Sequence, residues 1–384
     1  MPRKVCVVVT ARPSYSRIKS ALTAISGHPD LELQLVVGGS ALLHNYGNVS
    51  QDMKDDGFDI AARVYMVVEG ENLITTAKTT GVALVELATL LDTLKPDVVV
   101  TVADRYETLA TAIAASYMNI PVAHVQGGEV TGSIDEKVRH AVTKLSNLHF
   151  VSTDRAAERV IRMGEDPDTV FVTGCPSIDL ATAVLKRPQL DFDPFTQYGG
   201  VGATFPLSDG YLVVLQHPVT TEYEKAWEQV SETLWAVHES GLPAFWFWPN
   251  VDAGSDGTSK GIRVFRETEP SSRIHFYRNM RSEDFLRLIF NTRCVVGNSS
   301  VGIRECAFLG VPVVNIGSRQ AGRERGSNVI DVGHDRTSIQ TAIHRQSEHG
   351  RYPPSHLYGD GTAGQRIAEL LACRELTFEK RLTY

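Results

Sequence analysis

The sequence predicts an α/β protein made of two doubly wound parallel-sheet domains. Three observations carry that expectation: a chain of 384 residues, short apolar runs alternating with segments of helical period, and one Pro- and Gly-rich interruption near the middle. At roughly 150 residues per domain, the length suits two cores better than one. Apolar runs bounded by Gly, Pro or Asp and separated by helical patterns mark βαβ units, whose crossovers make a sheet parallel.

In the first half the strand-like runs are Val5–Thr10, Leu33–Val37, Asp97–Ala103, Pro121–Gln126, Leu148–Ser152 and Val170–Thr173. Between the first two, Ile18, Leu22 and Ile25 fall at i, i+4 and i+7, and Gly27 stands where a helix C′ residue would. From Lys186 to Gly210 the pattern breaks around Pro188, Pro194, Gly199, Gly200, Gly202 and Pro206, which marks a connection between domains 1–185 and 186–361. Strand runs then resume at Tyr211–Gln216, Ala244–Trp248, Ile274–Tyr277, Cys294–Gly297 and Val313–Ile316, separated by helices such as Ser282–Phe290. Two Rossmann-like domains in tandem imply an interdomain cleft. Ligands of such sheets bind beyond the carboxyl ends of the strands, so the residues just after each strand are the candidates for function.

Composition excludes several classes. Apolar residues make up 42% and charged residues 22%, as in ordinary globular proteins. The net charge of −7 comes with no Lys/Arg-rich run, so no nucleic acid partner is expected. Cys6, Cys175, Cys294, Cys306 and Cys373 lie far apart without a CxxC pair, which predicts reduced thiols in the core rather than a zinc or disulfide framework. The apolar run Val5–Thr10 is too short for a signal peptide, and no stretch approaches the ~20 apolar residues of a membrane span. A cytoplasmic protein without a membrane partner is the expectation.

The strongest local signal is Gly297-Asn-Ser-Ser-Val-Gly-Ile-Arg-Glu305, which follows a strand and opens a helix. Small residues there let an anion approach free backbone N–H groups, and Ser299 and Ser300 add hydroxyls. A diphosphate site and a simple Ser cap both fit. Glu305, about 1.5 turns on, is placed to accept from two ribose hydroxyls or to stand as a solvated first-turn acid. His217 directly follows a strand and precedes Pro218, which puts its imidazole at an edge where it can donate a hydrogen bond or move a proton.

Asp104-Arg-Tyr-Glu107 also follows a strand directly, and an acid beside a base suits a site that holds anions and moves protons; an Asp N-cap with a surface Arg fits equally. After the next strand come Gln126-Gly-Gly-Glu129 and Ser133-Ile-Asp-Glu-Lys-Val-Arg-His140. On a helix that Ser133 would cap, Asp135 and Arg139 are i,i+4 neighbours, as are Glu136 and His140; locally an exposed, salt-bridged helix is the favoured account. Arg12, Asp104, Glu129, His217, Asn250 and Ser299 all belong to polar motifs at strand ends, and six such motifs converging on one cleft outweigh any single one. No HExxH, GxSxG, Walker A or zinc-type spacing occurs, and Gly-x-Gly-x-x-Gly is missing after the first strand, so neither a metal nor a nicotinamide cofactor is indicated.

Taken together these motifs resemble the hydrolysing UDP-N-acetylglucosamine 2-epimerases, of the bacterial sialic-acid type and the epimerase half of the animal bifunctional enzyme. The resemblance runs through Ala11-Arg-Pro-Ser-Tyr-Ser16, Tyr46-Gly-Asn48, Asp104-Arg-Tyr-Glu107, His124-Val-Gln-Gly-Gly-Glu129, Ile134–Lys144, Leu215–Thr221, Pro249–Ser255, Gly297-Asn-Ser-Ser300 and Arg319-Gln-Ala-Gly-Arg-Glu324. It implies a GT-B-like pair of domains, with UDP held mainly by the second and the final segment, 362–384, returning as a helix and tail to the first. It implies further that Arg12, His217, Ser299 and Ser300 hold the diphosphate, Glu305 the ribose, and Asn250 and Asp252 other parts of the nucleotide sugar, with Ser16 and Arg319 also among the residues that bind the UDP-sugar. Asp104, Arg105, Glu129, Asp135, Glu136 and Arg139 would face the sugar ring. Asp104 and the Asp135/Glu136 pair are the proton-handling candidates. Gln126 stands where relatives often carry Glu or His, and Ala41 and Val102 where His is common.

The reaction this implies is anti elimination of UDP to a 2-acetamidoglucal, followed by syn hydration to N-acetylmannosamine. No cofactor is required on this reading, although stimulation by a divalent metal is compatible with it. The expected assembly is a homodimer or homotetramer, and the partner a small UDP-amino sugar. The alternatives left open are a non-hydrolysing epimerase that releases UDP-N-acetylmannosamine, the hydrolysing reaction on a bacillosamine-type sugar, a GT-B glycosyltransferase, and a nucleotide-sugar sensor. Arg263 and Arg266, one turn apart, lie in the region where the animal enzyme is regulated by CMP-sialic acid, and a surface helix also accounts for them.

Overall fold

Seven parallel strands form the sheet of the first half: β1 (Arg3–Val9), β2 (Leu31–Gly38), β3 (Ile60–Val64), β4 (Val98–Val102), β5 (Val122–Val125), β6 (Leu148–Val151) and β7 (Val170–Val172). Their order is β3-β2-β1-β4-β5-β6-β7, which reverses between β1 and β4 and creates a topological switch point there. The computed structural model describes all residues except 44–48, 71, 133 and 250–253. Asn250, Asp252, Ser133 and the Tyr46-Gly-Asn48 motif therefore lie outside the described residues. The chain divides into two units, Met1–Val130 with Ile134–Asp179 and Tyr358–Tyr384, and Thr131–Ser133 with Leu180–Leu357.

The apolar strands of the first unit are buried on both faces, which is why they read as continuous runs rather than as alternation. Val5, Val7 and Val9 point into one layer with Ile18, Leu22 and Ile25, while Cys6 and Val8 point into the other with Ala83, Leu87 and Leu91. The helical spacing of Ile18, Leu22 and Ile25 is thus a core stripe. Gly27 ends the Lys19–Ser26 helix with φ −89°, so the expected left-handed C′ geometry does not occur there. β3 escaped the sequence reading because Ile60-Ala-Ala-Arg-Val64 is a half-exposed edge strand with no apolar run.

In the second unit β8 (Val201–Gly202), β9 (Leu212–Leu215), β10 (Ala244–Phe247), β11 (Ile274–Tyr277), β12 (Cys294–Gly297), β13 (Val313–Ile316) and β14 (Val329–Val332) are ordered β14-β13-β12-β9-β10-β11-β8. All pairs are parallel apart from β8, which runs antiparallel to β11. β8 lies inside the Pro/Gly-rich segment read as a plain connection. That segment is tied down instead: the His275 ring nitrogens lie 2.8 Å from the Gly199 carbonyl and 3.0 Å from the Ala203 carbonyl. Two-residue β8 is too short, and four-residue Val329-Ile-Asp-Val332 is broken by Asp331, so neither announces itself as a strand.

Two expectations are corrected. Cys6, Cys175, Cys294 and Cys306 are buried, but Cys373 is exposed at the end of the last helix. The Leu73–Leu94 helix, 22 residues with a mean hydropathy of 1.2 in its most apolar window, is long and apolar enough by length and composition to cross a membrane. Its six threonines break the apolar run in the sequence. Here Asn72 caps it through the backbone N–H groups of Ile74 and Thr75, and it packs against the Tyr106–Tyr117 helix.

The Ala363–Cys373 helix belongs to the first unit and lies against Lys19–Ser26. Its start is held by the Asp179 carboxylate, which accepts from the backbone N–H groups of Gly364 (2.7 Å) and Ala363 (3.0 Å). Beyond it the tail returns to a buried carboxylate, Glu165, which is bonded by His149 (2.9 Å), Lys144 (2.6 Å) and Lys380. Burial alone would raise the Glu165 carboxyl; the three donors outweigh it and hold it down to about 2. A carboxyl depressed in the folded state contributes stability above its unfolded value, about 4.3, and loses it as pH falls toward 2. Lys380→Met is expected to destabilise the protein by about 1–3 kcal/mol at neutral pH and to move the acid-unfolding midpoint upward. Urea unfolding at pH 7 and an acid titration followed by circular dichroism check both; an unchanged acid midpoint would rule out the tail as a partner of Glu165.

Candidate functional site

The first unit places its candidate residues on the carboxyl edge of the sheet, after β1, β4 and β5. Two of these strands leave the ladder in the same way. The Ala103 N–H donates to the Val125 carbonyl (2.9 Å) and the Gln126 N–H to the Phe150 carbonyl (2.8 Å), and then both residues turn into the left-handed region, at φ 61° and 69°. Neither is glycine, so each turn holds strain on the order of 1–3 kcal/mol. His124, fully buried on β5, fixes the first turn: its Nε2–H donates to the Ala103 carbonyl at 2.8 Å, and its Nδ1 accepts from the Thr143 hydroxyl at 3.2 Å. Burial pushes this imidazole down to about 3, so the neutral tautomer persists at neutral pH. Gly128, at φ 73°, admits no side chain, because a Cβ would stand 2.2 Å from the Ala156 carbonyl oxygen.

The turn at Ala103 aims Asp104 at Arg139. Arg139 is 1% exposed, and its guanidinium bonds the Asp104 carboxylate, the Glu136 carboxylate (3.1 Å) and the Glu129 backbone carbonyl (2.9 Å). Burial lowers the tendency of that group to stay charged, but Asp104, Glu129 and Asp135 more than compensate and raise it above its ordinary value. Arg17 approaches the other oxygen of Asp104 at 3.5 Å. Glu136 also meets His140 Nε2 at 2.9 Å. One buried cation thus gathers acceptors from three segments: the Asp104 carboxylate at the end of β4, the Glu129 backbone carbonyl in the loop after β5, and the Glu136 carboxylate on the Asp135–Leu145 helix.

This geometry overturns two local readings. The Asp135–Leu145 helix is not simply exposed, since Arg139 is interior; its salt bridge to Glu136 is i,i+3, and its main partner is Asp104. Asp104 does not cap the following helix, whose N-cap is Arg105 without a side-chain cap bond. Nor is Arg105 a surface residue: its Nε and Nη2 bond the two oxygens of the fully buried Glu107, both at 3.2 Å. Arg12 and Ser16 open and close a five-residue helix after β1. Burial draws the Arg12 guanidinium down to about 10 against the pull of Asp52, and the Ser16 hydroxyl turns back to the Arg12 carbonyl at 3.4 Å.

In the second unit, His217, Ser299, Ser300, Glu305 and Arg319 lie at the carboxyl edges of β9, β12 and β13. Asn298 joins them. Its Oδ1 accepts from the His217 N–H and its Nδ2 donates to the His217 carbonyl, both at 2.8 Å. Its own carbonyl accepts from Arg319 Nη1 (3.1 Å) and Gln320 Nε2 (2.8 Å). This approach needs Gly297, at φ 126°, since a Cβ there would stand 2.3 Å from the Leu215 carbonyl oxygen. The helix after Ser299 is interrupted: Ser300–Ile303 ends at Arg304, and Glu305–Leu309 begins beyond it. Ser299 caps the first piece through the Val301 N–H (3.4 Å), and the Ser300 hydroxyl accepts from the buried Arg304 at 2.8 Å. A four-residue helix carries a weaker dipole than the continuous helix expected, so cationic Arg304 supplies charge at this edge. Among the described residues no group of three or more His, Cys, Asp or Glu is arranged to hold a metal ion.

Three positioning residues were not singled out from sequence. Arg17 lies one residue past the Ala11–Ser16 motif and five beyond Arg12, on the same short segment. Asn298 lies inside the Gly297–Ser300 motif but shows no chemistry until its amide pairing with His217 is seen. His124 opens the His-x-x-Gly-Gly-Glu motif, and its spacing to Ala103 is set by β4–β5 pairing alone.

Comparison with known proteins places this geometry in context. A family model described as UDP-N-acetylglucosamine 2-epimerase matches residues 23–372. The chain is 33% identical to a Legionella pneumophila UDP-N,N'-diacetylbacillosamine 2-epimerase (hydrolyzing), over 97% of this chain and 96% of that protein. It is 29% identical to a Neisseria meningitidis UDP-N-acetylglucosamine 2-epimerase, over 97% and 95%. A crystal structure of UDP-GlcNAc 2-epimerase from Neisseria meningitidis bound to UDP-GlcNAc superposes with a TM-score of 0.79 at 18% identity, covering 96% of this chain and 99% of that one, which shows a shared GT-B-like fold.

The Arg139 hub has a direct test. Arg139→Met removes the guanidinium that bonds the buried Asp104 carboxylate, and is expected to cost about 3–5 kcal/mol. Combining it with Asp104→Asn should recover part of that loss, with a coupling on the order of 1–3 kcal/mol in a double-mutant cycle. Guanidinium unfolding of the four proteins measures it; additive losses would mean the two side chains do not depend on each other.

Proposed function

We propose that this chain, which belongs to the UDP-N-acetylglucosamine 2-epimerase family, is a hydrolysing enzyme that converts UDP-N-acetylglucosamine and water to N-acetylmannosamine and UDP. The observation that carries this reading is the buried guanidinium of Arg139, which bonds the Asp104 and Glu136 carboxylates and the Glu129 backbone carbonyl, with Asp135 opening the same helix. Carboxylates held beside a fixed cation are what removal and return of a weakly acidic C–H proton require. The hydrolysing outcome is supported by the likeness to the Legionella protein, whose name carries that outcome.

In the proposed sequence a carboxylate of the first unit removes the C2 proton of the sugar. The C1–O bond to the diphosphate breaks with its electron pair leaving on UDP, and a C1=C2 double bond forms. Water then adds across it, with a proton delivered to C2 from the opposite face and hydroxide to C1. We assign the proton transfers to Glu129 and the Asp135/Glu136 pair. Asp104, expected from sequence to share that work, is better suited to holding Arg139 in place, because two guanidiniums beside a carboxylate make it a weak base. Arg12, Ser16 and Arg105 are assigned to the same edge, with Arg105 acting from its pairing with Glu107. In the second unit His217, Ser299, Ser300 and Arg319 are assigned to the diphosphate and Glu305 to the ribose. Asn250 and Asp252 keep only their proposed nucleotide-sugar roles. The chemistry needs no bound cofactor.

A second reading, the same reaction on UDP-N,N'-diacetylbacillosamine, is favoured by the name of the Legionella relative. Incubation with each UDP-sugar in D₂O separates the possibilities by NMR. The expected products are UDP and free N-acetylmannosamine deuterated at C2. A deuterated UDP-sugar would instead assign a non-hydrolysing epimerase, and turnover of only the diacetylated sugar would assign the second reading. Glu136→Gln is expected to lower kcat on the order of a hundredfold or more while leaving the Kd for UDP within about twofold; equal loss of both would remove Glu136 from the chemistry.

A further inference from the structure

Gln126 is 2% exposed and occupies the left-handed turn at the end of β5, yet the proton chemistry makes no use of it. Its carboxamide is oriented from one side only. Nε2 donates to Cys175 Sγ at 2.8 Å, and Sγ stands 3.0 Å from the Ser177 hydroxyl, where either group can be the donor. Cys175 is itself anchored, its N–H donating to the Tyr358 carbonyl at 2.8 Å. With the amide nitrogen turned to Cys175, Oε1 is left without a hydrogen-bond partner among the described residues. The buried hydroxyl of Ser152, after the adjacent strand β6, is in the same condition.

An amide oxygen buried without a donor is destabilising, and the left-handed backbone adds strain. Both fall on one residue, on the strand edge that carries Asp104 on one neighbouring strand and leads through Gly127 and Gly128 to Glu129. Oε1 is an acceptor and nothing else, so the group that completes it is an N–H or O–H. We propose that Gln126 Oε1 accepts a hydrogen bond from a donor on the sugar ring of the substrate, which makes Gln126 a specificity-determining residue. The proposal rests on the reading that the chain binds a UDP-2-acetamido sugar, whose donors are the acetamido N–H and the ring hydroxyls. Sites that bond a substrate donor through a fixed buried acceptor discriminate strongly against ligands lacking it.

The test is calorimetric. Gln126→Met keeps the length of the side chain and removes the acceptor. Relative to the native protein, its Kd for UDP-N-acetylglucosamine is expected to rise roughly tenfold or more, while the Kd for UDP, which has no sugar, stays within about twofold. UDP-glucose identifies the donor: it is spared if the acetamido N–H is read, and weakened in parallel if a shared ring hydroxyl is read. Unchanged affinity for the nucleotide sugar, or a parallel loss for UDP, overturns the proposal. Should Gln126→Met fail to fold, a crystal structure of the native protein with the bound nucleotide sugar decides the matter. Oε1 within hydrogen-bond distance of a sugar nitrogen or oxygen supports the proposal, and Oε1 bonded only to water or to Ser152 overturns it. If the native protein binds UDP but no UDP-amino sugar, the functional reading itself fails, and this inference falls with it.

Discussion

Burying a guanidinium is costly unless hydrogen-bond acceptors and anions surround it, and Arg139 is almost wholly interior. Three of its partners come from three different places in the chain: Asp104 after β4, the Glu129 carbonyl after β5, and Glu136 one turn back on its own helix. Each of these positions is otherwise a loop or helix start with freedom to move. Because the cation needs all of them at once, it sets the spacing of the edge. The same condition divides the acids: Asp104 is held by both Arg139 and Arg17, Glu136 is shared between Arg139 and His140, and Glu129 is held through its backbone carbonyl.

The hub is aimed by backbone geometry. Ala103 and Gln126 both finish their strands with one more ladder hydrogen bond and then turn left-handed, and His124 clamps the first turn from beneath. Such turns are unfavourable for residues with a Cβ and persist only where the surroundings over-determine them. Here the surroundings are a sheet buried on both faces, whose strands cannot shift register without exposing valines from one layer or the other. The rigidity that directs Asp104 therefore comes from the most ordinary part of the sequence, the runs of Val and Ala.

That division explains what the sequence revealed. The parallel strands were legible because burial on both faces makes them continuous apolar runs, and the strand-end motifs were legible because function and strand ends coincide in such sheets. Edge strands β3, β8 and β14 were not, since a half-solvated strand needs no apolar run. Individual polar residues such as Asp104, Arg139 and Ser299 were visible as types, but their partners were not. Whether Arg139 faces water or Asp104 depends on the packing of the Asp135–Leu145 helix, which local i,i+4 spacing cannot report. Arg17 and Asn298 were hidden for the same reason: each acts on a residue distant in sequence, Arg17 on Asp104 and Asn298 on His217.

The two strand edges differ in chemistry, and the difference follows from what each is assigned to do. In the first unit charges face one another in a buried cluster, so a proton taken by one carboxylate changes the field on its neighbours. Such an edge suits steps in which protons are removed and returned. In the second unit the central element is neutral: the Asn298 amide locks the His217 backbone, and its carbonyl holds Arg319 and Gln320. Hydroxyls of Ser299 and Ser300 stand beside it, with the Arg304 guanidinium behind Ser300. Neutral donors fixed by backbone pairing, with cations set behind them, need no rearrangement when negative charge arrives on a leaving diphosphate. A network of titrating acids there would repel that charge, and a network of fixed dipoles in the first unit would have no proton to give. Each unit's polar composition is thus consistent with one half of an elimination and hydration, and neither composition alone would serve both halves.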